Sequence, residues 1–475
     1  MSADRVNLIY VFADQLRYQS LGYTGDERAR TPHIDRLASQ SLDFFNCVSG
    51  SPMCAPYRAS LFTGKYSSST GMVINELRIN PAQRCFGHVL GEAGYATHYI
   101  GKWHLWANQL GNHDDPRNSF TPPGPDRLGF DGYWASYGFH HRYWDQYYHE
   151  GSPERVIIDG YEPDGQTDLA IEQLGAAAAD DRPFALFLSL GTPHDPWDRG
   201  NVPAPYLAPF EDVEFDLPRN YRAENDPRAD AWARLSEAER RELPDWMRVY
   251  YAMTANLDWN IGRLLAAVER LELFENTIVV FTSDHGEMFG AQGRRAKNIF
   301  YDEAVRVPLL IRWDGRFGAG QKVDACLNTP DIMPTLLGAM GLPIPAEAEG
   351  FDFSPVLRGE AIQEPAAAFM QGMGATAIFE DGHEWRALRS KRYTYAVYRA
   401  DGSELLFDNL DDPFQTNNLI ADAGHSAIVE RFREQLLERR RALNDRFERC
   451  TWYEENWTDQ RVILRSARHD WRASR

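Results

Sequence analysis

Short, nearly unbroken apolar runs recur along the chain and set its architecture. Val6 to Phe12, Gly94 to Ile100, Pro183 to Leu190 and Asn276 to Phe281 are rich in β-branched and aromatic residues. Runs of this kind predict strands buried on both faces of a parallel sheet, and Val307 to Trp313 fits the same sheet. Between them the period becomes helical. Thr31 suits a cap with Pro32 in the first turn, a second helix starts near Pro56, and Met253, Leu257, Ile261, Leu264, Leu265 and Val268 give helical periodicity to Met247–Leu271. Helix and strand in alternation predict a large, doubly wound α/β sheet flanked by helices. From about Glu360 the pattern changes to shorter alternating segments such as Trp385 to Tyr398, then a charged helix from about His425 to Asn444. The expected division is a catalytic α/β domain over 1–360 and a smaller α+β domain over 361–475. Residues 108–165 and 198–245 read as irregular, with a helical stretch around Trp232 to Glu242.

Size and charge narrow the picture. At 475 residues the chain exceeds the length at which one core usually stops growing, which suits a large domain plus a small one. A formal net charge of −19 argues against nucleic acid or an acidic membrane surface as the main partner. Any site for an anion must therefore be locally basic. Cys47, Cys54, Cys85, Cys326 and Cys450 are scattered without a CxxC pair, which fits neither a disulfide framework nor a zinc site. No apolar run is long enough to cross a bilayer, and the first residues lack the pattern of a secretory leader. The expectation is a soluble, cytoplasmic protein.

The candidate chemistry lies where the predicted strands end. Asp14 and Gln15 follow the first, Lys102 and His104 the second, His194 the third, and Asp284 with His285 the fourth. Open α/β sheets collect ligands at that edge. Two aspartates from different strands, with an amide and a neutral imidazole beside them, make a mixed oxygen and nitrogen set for a divalent cation. Cys54, two residues before Pro56, falls at a helix N-terminus, where unsatisfied N–H groups favour an anion. Arg58 lies one turn further on the same side.

The run Cys54-Ala55-Pro56-Tyr57-Arg58-Ala59-Ser60-Leu61-Phe62-Thr63-Gly64 resembles the signature of the type I, formylglycine-dependent sulfatases of the alkaline phosphatase superfamily. Lys102 and His104 in GKWHL, His194 in TPHDP, Lys297 in KNIFYDEAVRVP and the segment Glu404 to Pro413 with Asn417-Asn418-Leu419 extend the resemblance from about Asn7 to Asp422, outside the loops at 108–165 and 198–245. It implies an alkaline-phosphatase-like fold, with a mixed, mostly parallel sheet and a smaller C-terminal domain. It also implies that a formylglycine-generating enzyme oxidises Cys54 to the aldehyde, whose hydrate is the nucleophile. Asp14, Gln15, residue 54, Asp284 and His285 match the metal positions. Gln15 replaces the second acid of the commonest pattern, so it either binds through its amide oxygen or supports the ligands. Calcium is the family's usual ion, with manganese or magnesium also open.

The resemblance assigns Lys102, Lys297 and Arg58 to the sulfate oxygens, His104 to the role of base and His194 to the leaving oxygen. The implied activity is hydrolysis of a small anionic ester, an aryl or sugar-type sulfate, in an arylsulfatase-like enzyme. The alternative is a phosphonate monoester or phosphodiester hydrolase of the same superfamily, which shares the cysteine motif. A third possibility is a non-catalytic binder of sulfated ligands. Trp134, Tyr137, His140, His141, Tyr143, Trp144, Tyr147 and Tyr148 form an aromatic cluster beside the expected cleft, suited to stacking on a substrate ring, to a packed loop core or to a subunit contact. The basic tail from Arg461 onward is a candidate arm onto a second subunit of a homo-oligomer.

Overall fold

The central element of the computed structural model, which describes residues 5–107, 109 and 111–472, is an eight-stranded sheet. In chain order its strands are β1 (Asn7–Ala13), β2 (Leu42–Asp43), β3 (Ala96–Lys102), β4 (Trp134–Tyr137), β5 (Phe184–Leu190), β6 (Thr277–Ser283), β7 (Leu309–Arg312) and β8 (Gln321–Lys322). They lie in the order β8-β2-β7-β6-β1-β5-β3-β4. Neighbours run parallel except at β7, which is antiparallel to both β2 and β6. The sheet is therefore mixed and mostly parallel.

The absence of polar alternation in β1 has a direct cause. Leu8, Tyr10 and Phe12 enter one core with Phe187 and Val280, while Ile9, Val11 and Ala13 enter another with Leu186 and Val279. Both faces are covered. Helices that cover the sheet include α1 (Pro32–Ser39), α2 (Cys54–Thr63), α3 (Glu162–Ala178), α4 (Glu237–Arg270) and α5 (Thr329–Ala339). Helices α2 and α5 supply side chains to the first core, and α1, α3 and α4 to the second.

Two expectations about the loops are corrected. The stretch predicted around Trp232 to Glu242 and the helix predicted over Met247 to Leu271 are one element, α4, which starts at a reciprocal cap between Ser236 and Glu239 and contains Pro244. Proline forgoes one backbone hydrogen bond, but burial of Leu243, Met247, Tyr250 and Met253 on either side carries the helix through it. Residues 108–165 are not wholly irregular either. They supply the edge strand β4, four residues long, and the start of α3, too little sequence for a period to show.

After residue 367 come four antiparallel strands, β9 (Ala368–Gly372), β10 (Trp385–Arg389), β11 (Tyr393–Tyr398) and β12 (Glu404–Asp408), followed by α6 (Ser426–Ala442), whose Val429, Phe432 and Leu436 pack with Leu388, Tyr395 and Leu406. This sheet is stitched to the residues that precede α2. The Gln371 N–H donates to the Gly50 carbonyl at 2.8 Å, Ser51 Oγ donates to the Gln371 carbonyl at 2.9 Å, and Arg389 grips both Asp302 oxygens at 2.8 Å. The tail, a candidate arm onto a second subunit, packs on its own chain as far as residue 472. Arg461 donates to the carbonyls of Asn75, Glu76 and Ala377, and the Ala467 N–H donates to the Ser68 carbonyl.

One glycine is required where strand meets site. Gly101, beside Lys102, has φ +101°, and a Cβ there would sit 2.0 Å from the Ser189 carbonyl oxygen on the neighbouring strand. Gly101→Ala is expected to cost about 3 kcal/mol or more through backbone strain and overlap. Chemical denaturation measures it, and an unchanged midpoint would contradict this account.

Candidate active site

All ten residues of α2 are buried, and the helix has no polar face. Its first turn is pinned from outside, because the Ala55 N–H donates to Asn75 Oδ1 at 3.0 Å. At its other end Gly64, in the left-handed region, returns its N–H to the Ser60 carbonyl. Cys54 is thus fixed at the positive end of a rigid helix.

The carboxyl ends of β1 and β6 bring their acids to that sulfur. Sγ lies 3.6 Å from Asp14 Oδ1 and 3.3 Å from His285 Nε2, and one ligand atom from each of Asp14, Cys54, Asp284 and His285 falls within 4.8 Å of the others, all buried. The His285 Nδ1–H donates to the Gly286 carbonyl at 3.1 Å. That leaves the Nε2 lone pair facing the cluster, as a metal-binding imidazole requires. Asp284 Oδ1 accepts the Gln15 N–H at 3.0 Å, while Oδ2 accepts no hydrogen bond.

Cations surround these acids. Lys102 Nζ donates to Asp14 Oδ2, and Arg58 Nη2 sits 3.7 Å from Asp14 and 3.6 Å from Asp284. Arg58 is itself held from behind by Ser189 Oγ at 2.8 Å and by the Lys102 carbonyl. Burial alone would raise the Asp14 carboxyl, but Lys102, His194, His285 and Arg58 together hold it well below the usual range. Asp284 goes the other way: burial and then the Asp14 charge push it up to about 7.

Lys297 completes the ring of bases. Its ammonium donates to Gln15 Oε1 and, at 2.7 Å, to His194 Nε2. His194 lies between two cis peptide bonds, Thr192–Pro193 and Asp195–Pro196, and its Nδ1 meets the Asp195 carbonyl at 3.0 Å. Burial and Lys297 push this imidazole well below its usual range. The Gln15 amide is spoken for on both sides, its nitrogen donating to Glu287 at 2.8 Å. His104 is stacked on Phe139 with ring centres 4.4 Å apart, its Nε2 is 3.2 Å from Glu76, and its Nδ1 is buried without a hydrogen bond.

A cavity of about 280 Å³ ends on Cys54 and is walled by Lys297, His194, His141, Glu76, Arg295 and Trp232, among others. Of the predicted site residues, Cys54, His194 and Lys297 line it, while Asp14, Gln15, Arg58, Lys102, His104, Asp284 and His285 do not reach its wall and are fully or nearly fully buried.

The sulfatase family model matches residues 6–342, and that of the N-sulphoglucosamine sulphohydrolase C-terminal region matches 290–442. The chain belongs to the sulfatase family. It is 36% identical to the ulvan-active sulfatase of Formosa agariphila over 94% of this chain and 83% of that one. It is 29% identical to an endo-4-O-sulfatase of Bacteroides thetaiotaomicron over 91% of each. The solved structure of a putative sulfatase, yidJ, from Bacteroides fragilis superposes with a TM-score of 0.81 at 29% identity, covering 95% of this chain and 98% of that one.

Several groups that build the sulfatase site carried no signal in the sequence. Ser189 holds Arg58, Glu76 holds His104, Asn75 pins α2, and Phe139 lies under both Lys102 and His104. Glu287, which orients Gln15, was visible in principle, since it falls in the same Asp284-His285-Gly286-Glu287 run as two predicted ligands. Most of the aromatic cluster proves to be loop core. Trp134, Tyr137, His140, Tyr143, Tyr147 and Tyr148 are buried and Trp144 is exposed, so only His141 reaches the cavity.

The donor set of the sulfatase fits a divalent cation, with two carboxylates, a bare imidazole nitrogen and the side chain at 54, all buried, converging within 4.8 Å of one another. A saturating cation at about 100 times its Kd adds roughly 2.7 kcal/mol of stability. Thermal melts with and without calcium are expected to show a clear rise for the native chain and none for Asp14→Asn or Asp284→Asn. Equal rises in all three would place the ion elsewhere.

Proposed function

We propose that this sulfatase hydrolyses sulfate monoesters carried on sugars, with residue 54 acting in its formylglycine form beside a divalent cation, calcium being the ion the family resemblance favours. The observation that carries the proposal is the position of Cys54. It heads a wholly buried helix, touches Asp14 and His285, and forms the floor of the cavity. As a thiol it is a poor nucleophile, because burial and the Asp14 charge push it up to about 12. The aldehyde, once hydrated, supplies an oxygen nucleophile that is regenerated without attack of water at sulfur. Asp14, residue 54, Asp284 and His285 would hold the cation, which when bound would supply positive charge at the reacting oxygens.

The remaining work falls to side chains already in place. Lys297, on the cavity wall, neutralises charge on the sulfate oxygens, with Lys102 and Arg58 reinforcing from beneath, which is the electrostatic preorganisation such a transfer needs. The Lys297–His194 pair delivers a proton to the leaving sugar oxygen. His104, neutral because burial and Lys102 hold it far below its usual range, keeps an uncommitted Nδ1 as proton acceptor. Trp232, 41% exposed, and His141 give the cavity ring surfaces for a sugar. Names of the relatives, ulvan-active and endo-4-O-sulfatase, support a carbohydrate substrate. None of the described helices is long and apolar enough to cross a membrane. Besides residue 54, the four cysteines are buried and unpaired, which suits a reducing compartment, and on that ground we propose a cytoplasmic location.

Intact-mass and peptide analysis should find residue 54 as the aldehyde, with one sulfur and two hydrogens lost and one oxygen gained relative to cysteine. Cys54→Ala is expected to lower turnover of an aryl sulfate by roughly a thousandfold or more, and sugar O-sulfates should be cleaved faster than phenyl phosphonate. Full multiple turnover by Cys54→Ala, or a phosphonate preference, would defeat the proposal.

A further inference from the structure

A second cavity, of about 660 Å³, lies between the 216–220 loop, residues 302–306 and the β10–β11 turn, and shares no lining residue with the cavity over Cys54. Its wall carries seven Lys or Arg against four Asp or Glu, the reverse of a chain whose net charge is −19. Four of those cations are spent, since Arg28, Arg389, Lys391 and Arg392 each pair with a carboxylate. Arg17, Arg219 and Arg306 are not. Among the described residues none of the three forms an ion pair, and each lies over an aromatic ring, Phe289, Phe414 and Tyr18 respectively, with the Arg306 Nε–H also donating to the Phe45 carbonyl at 2.7 Å.

The same wall holds buried polar atoms with no hydrogen bond inside the protein. Arg17 Nε is a donor, while Gln19 Oε1, Asn220 Oδ1 and Glu303 Oε2 are acceptors. Guanidinium groups without a carboxylate partner ask for an anion. Uncommitted acceptors ask for a hydroxyl, which inorganic sulfate lacks. A ligand that satisfies both carries negative groups and hydroxyls on one small frame, and the cavity volume is that of a small-molecule site rather than a surface for a duplex.

We propose that this cavity is a second, non-catalytic site that binds a short sulfated or carboxylated oligosaccharide through Arg17, Arg219 and Arg306, with Gln19, Asn220 and Glu303 accepting from its hydroxyls. The proposal does not depend on the chemistry assigned to Cys54.

Isothermal titration of the intact enzyme with partially sulfated sucrose, inorganic sulfate and unsulfated sucrose tests it. The sulfated sugar should bind at least about tenfold more tightly than either of the others, and Arg219→Glu and Arg306→Gln should each weaken it by about tenfold or more, with turnover of an aryl sulfate unchanged. Hydrogen exchange should slow at 216–220 and 302–306 when the sugar binds. Arg219 is exposed, so its substitution leaves the fold intact and that variant decides the matter if Arg306→Gln folds poorly. The proposal fails if the sulfated sugar does not bind, if neither variant weakens it, if protection appears only around Cys54, or if inorganic sulfate binds as tightly, which would leave a simple anion site.

Discussion

Two carboxylates, Asp14 and Asp284, are buried against each other at the end of the sheet, and the cost of keeping them there shapes everything nearby. An uncompensated buried charge costs several kcal/mol. The chain meets that cost with Arg58 and Lys102 in ion-pairing range and with a bare imidazole nitrogen from His285 facing the same space. Neutralisation by protein groups remains partial, since Asp284 is still pushed up to about 7. The arrangement thus has room for one more positive charge, which is the physical basis for a cation there.

The cations are fixed as firmly as the acids. Arg58 does not face the cavity, because Ser189, the Lys102 carbonyl and the Phe12 ring hold it beneath the cluster. Lys297 is oriented by Gln15 and His194, and Gln15 in turn by Glu287. Holding these chains requires backbone that most residues avoid. Gln15, Glu76, His104, Ala296 and Asn298 all have positive φ, and all lie in the site or next to a residue that does. Strain of this kind persists only where surrounding structure over-determines it. Here the stitching of β9 to Gly50 and Ser51 and the Arg461 bonds to the 75–76 backbone provide that constraint.

Charge is distributed with the same economy. The surface of a strongly acidic chain repels anions, yet both cavities hold cations: Lys297 and Arg295 beside Glu76 and Asp195 over Cys54, and seven Lys or Arg against four Asp or Glu between the 216–220 loop and the β10–β11 turn. In the first the cations are matched to buried acids and serve the reaction centre. In the second, three guanidinium groups lie on aromatic rings with no acid partner among the described residues.

Local sequence determined the strands of the central sheet and the residues at their ends. A strand buried on two faces must be apolar throughout, so β1, β5 and β6 were legible, and with them Asp14, His194, Asp284 and His285. The Cys54 run and Pro56 likewise fixed the start of α2. Only the tertiary structure decided what lies between strands. Pro244 broke the pattern of α4 without breaking the helix, because long-range burial outweighed one lost backbone bond. Ser189, Glu76, Asn75 and Phe139 were invisible because their roles depend on partners dozens of residues away, and a polar or aromatic residue with a distant partner has no period to betray it. The path of the tail and the unpaired arginines of the second cavity belong to the same class, since pairing is a property of space and not of spacing along the chain.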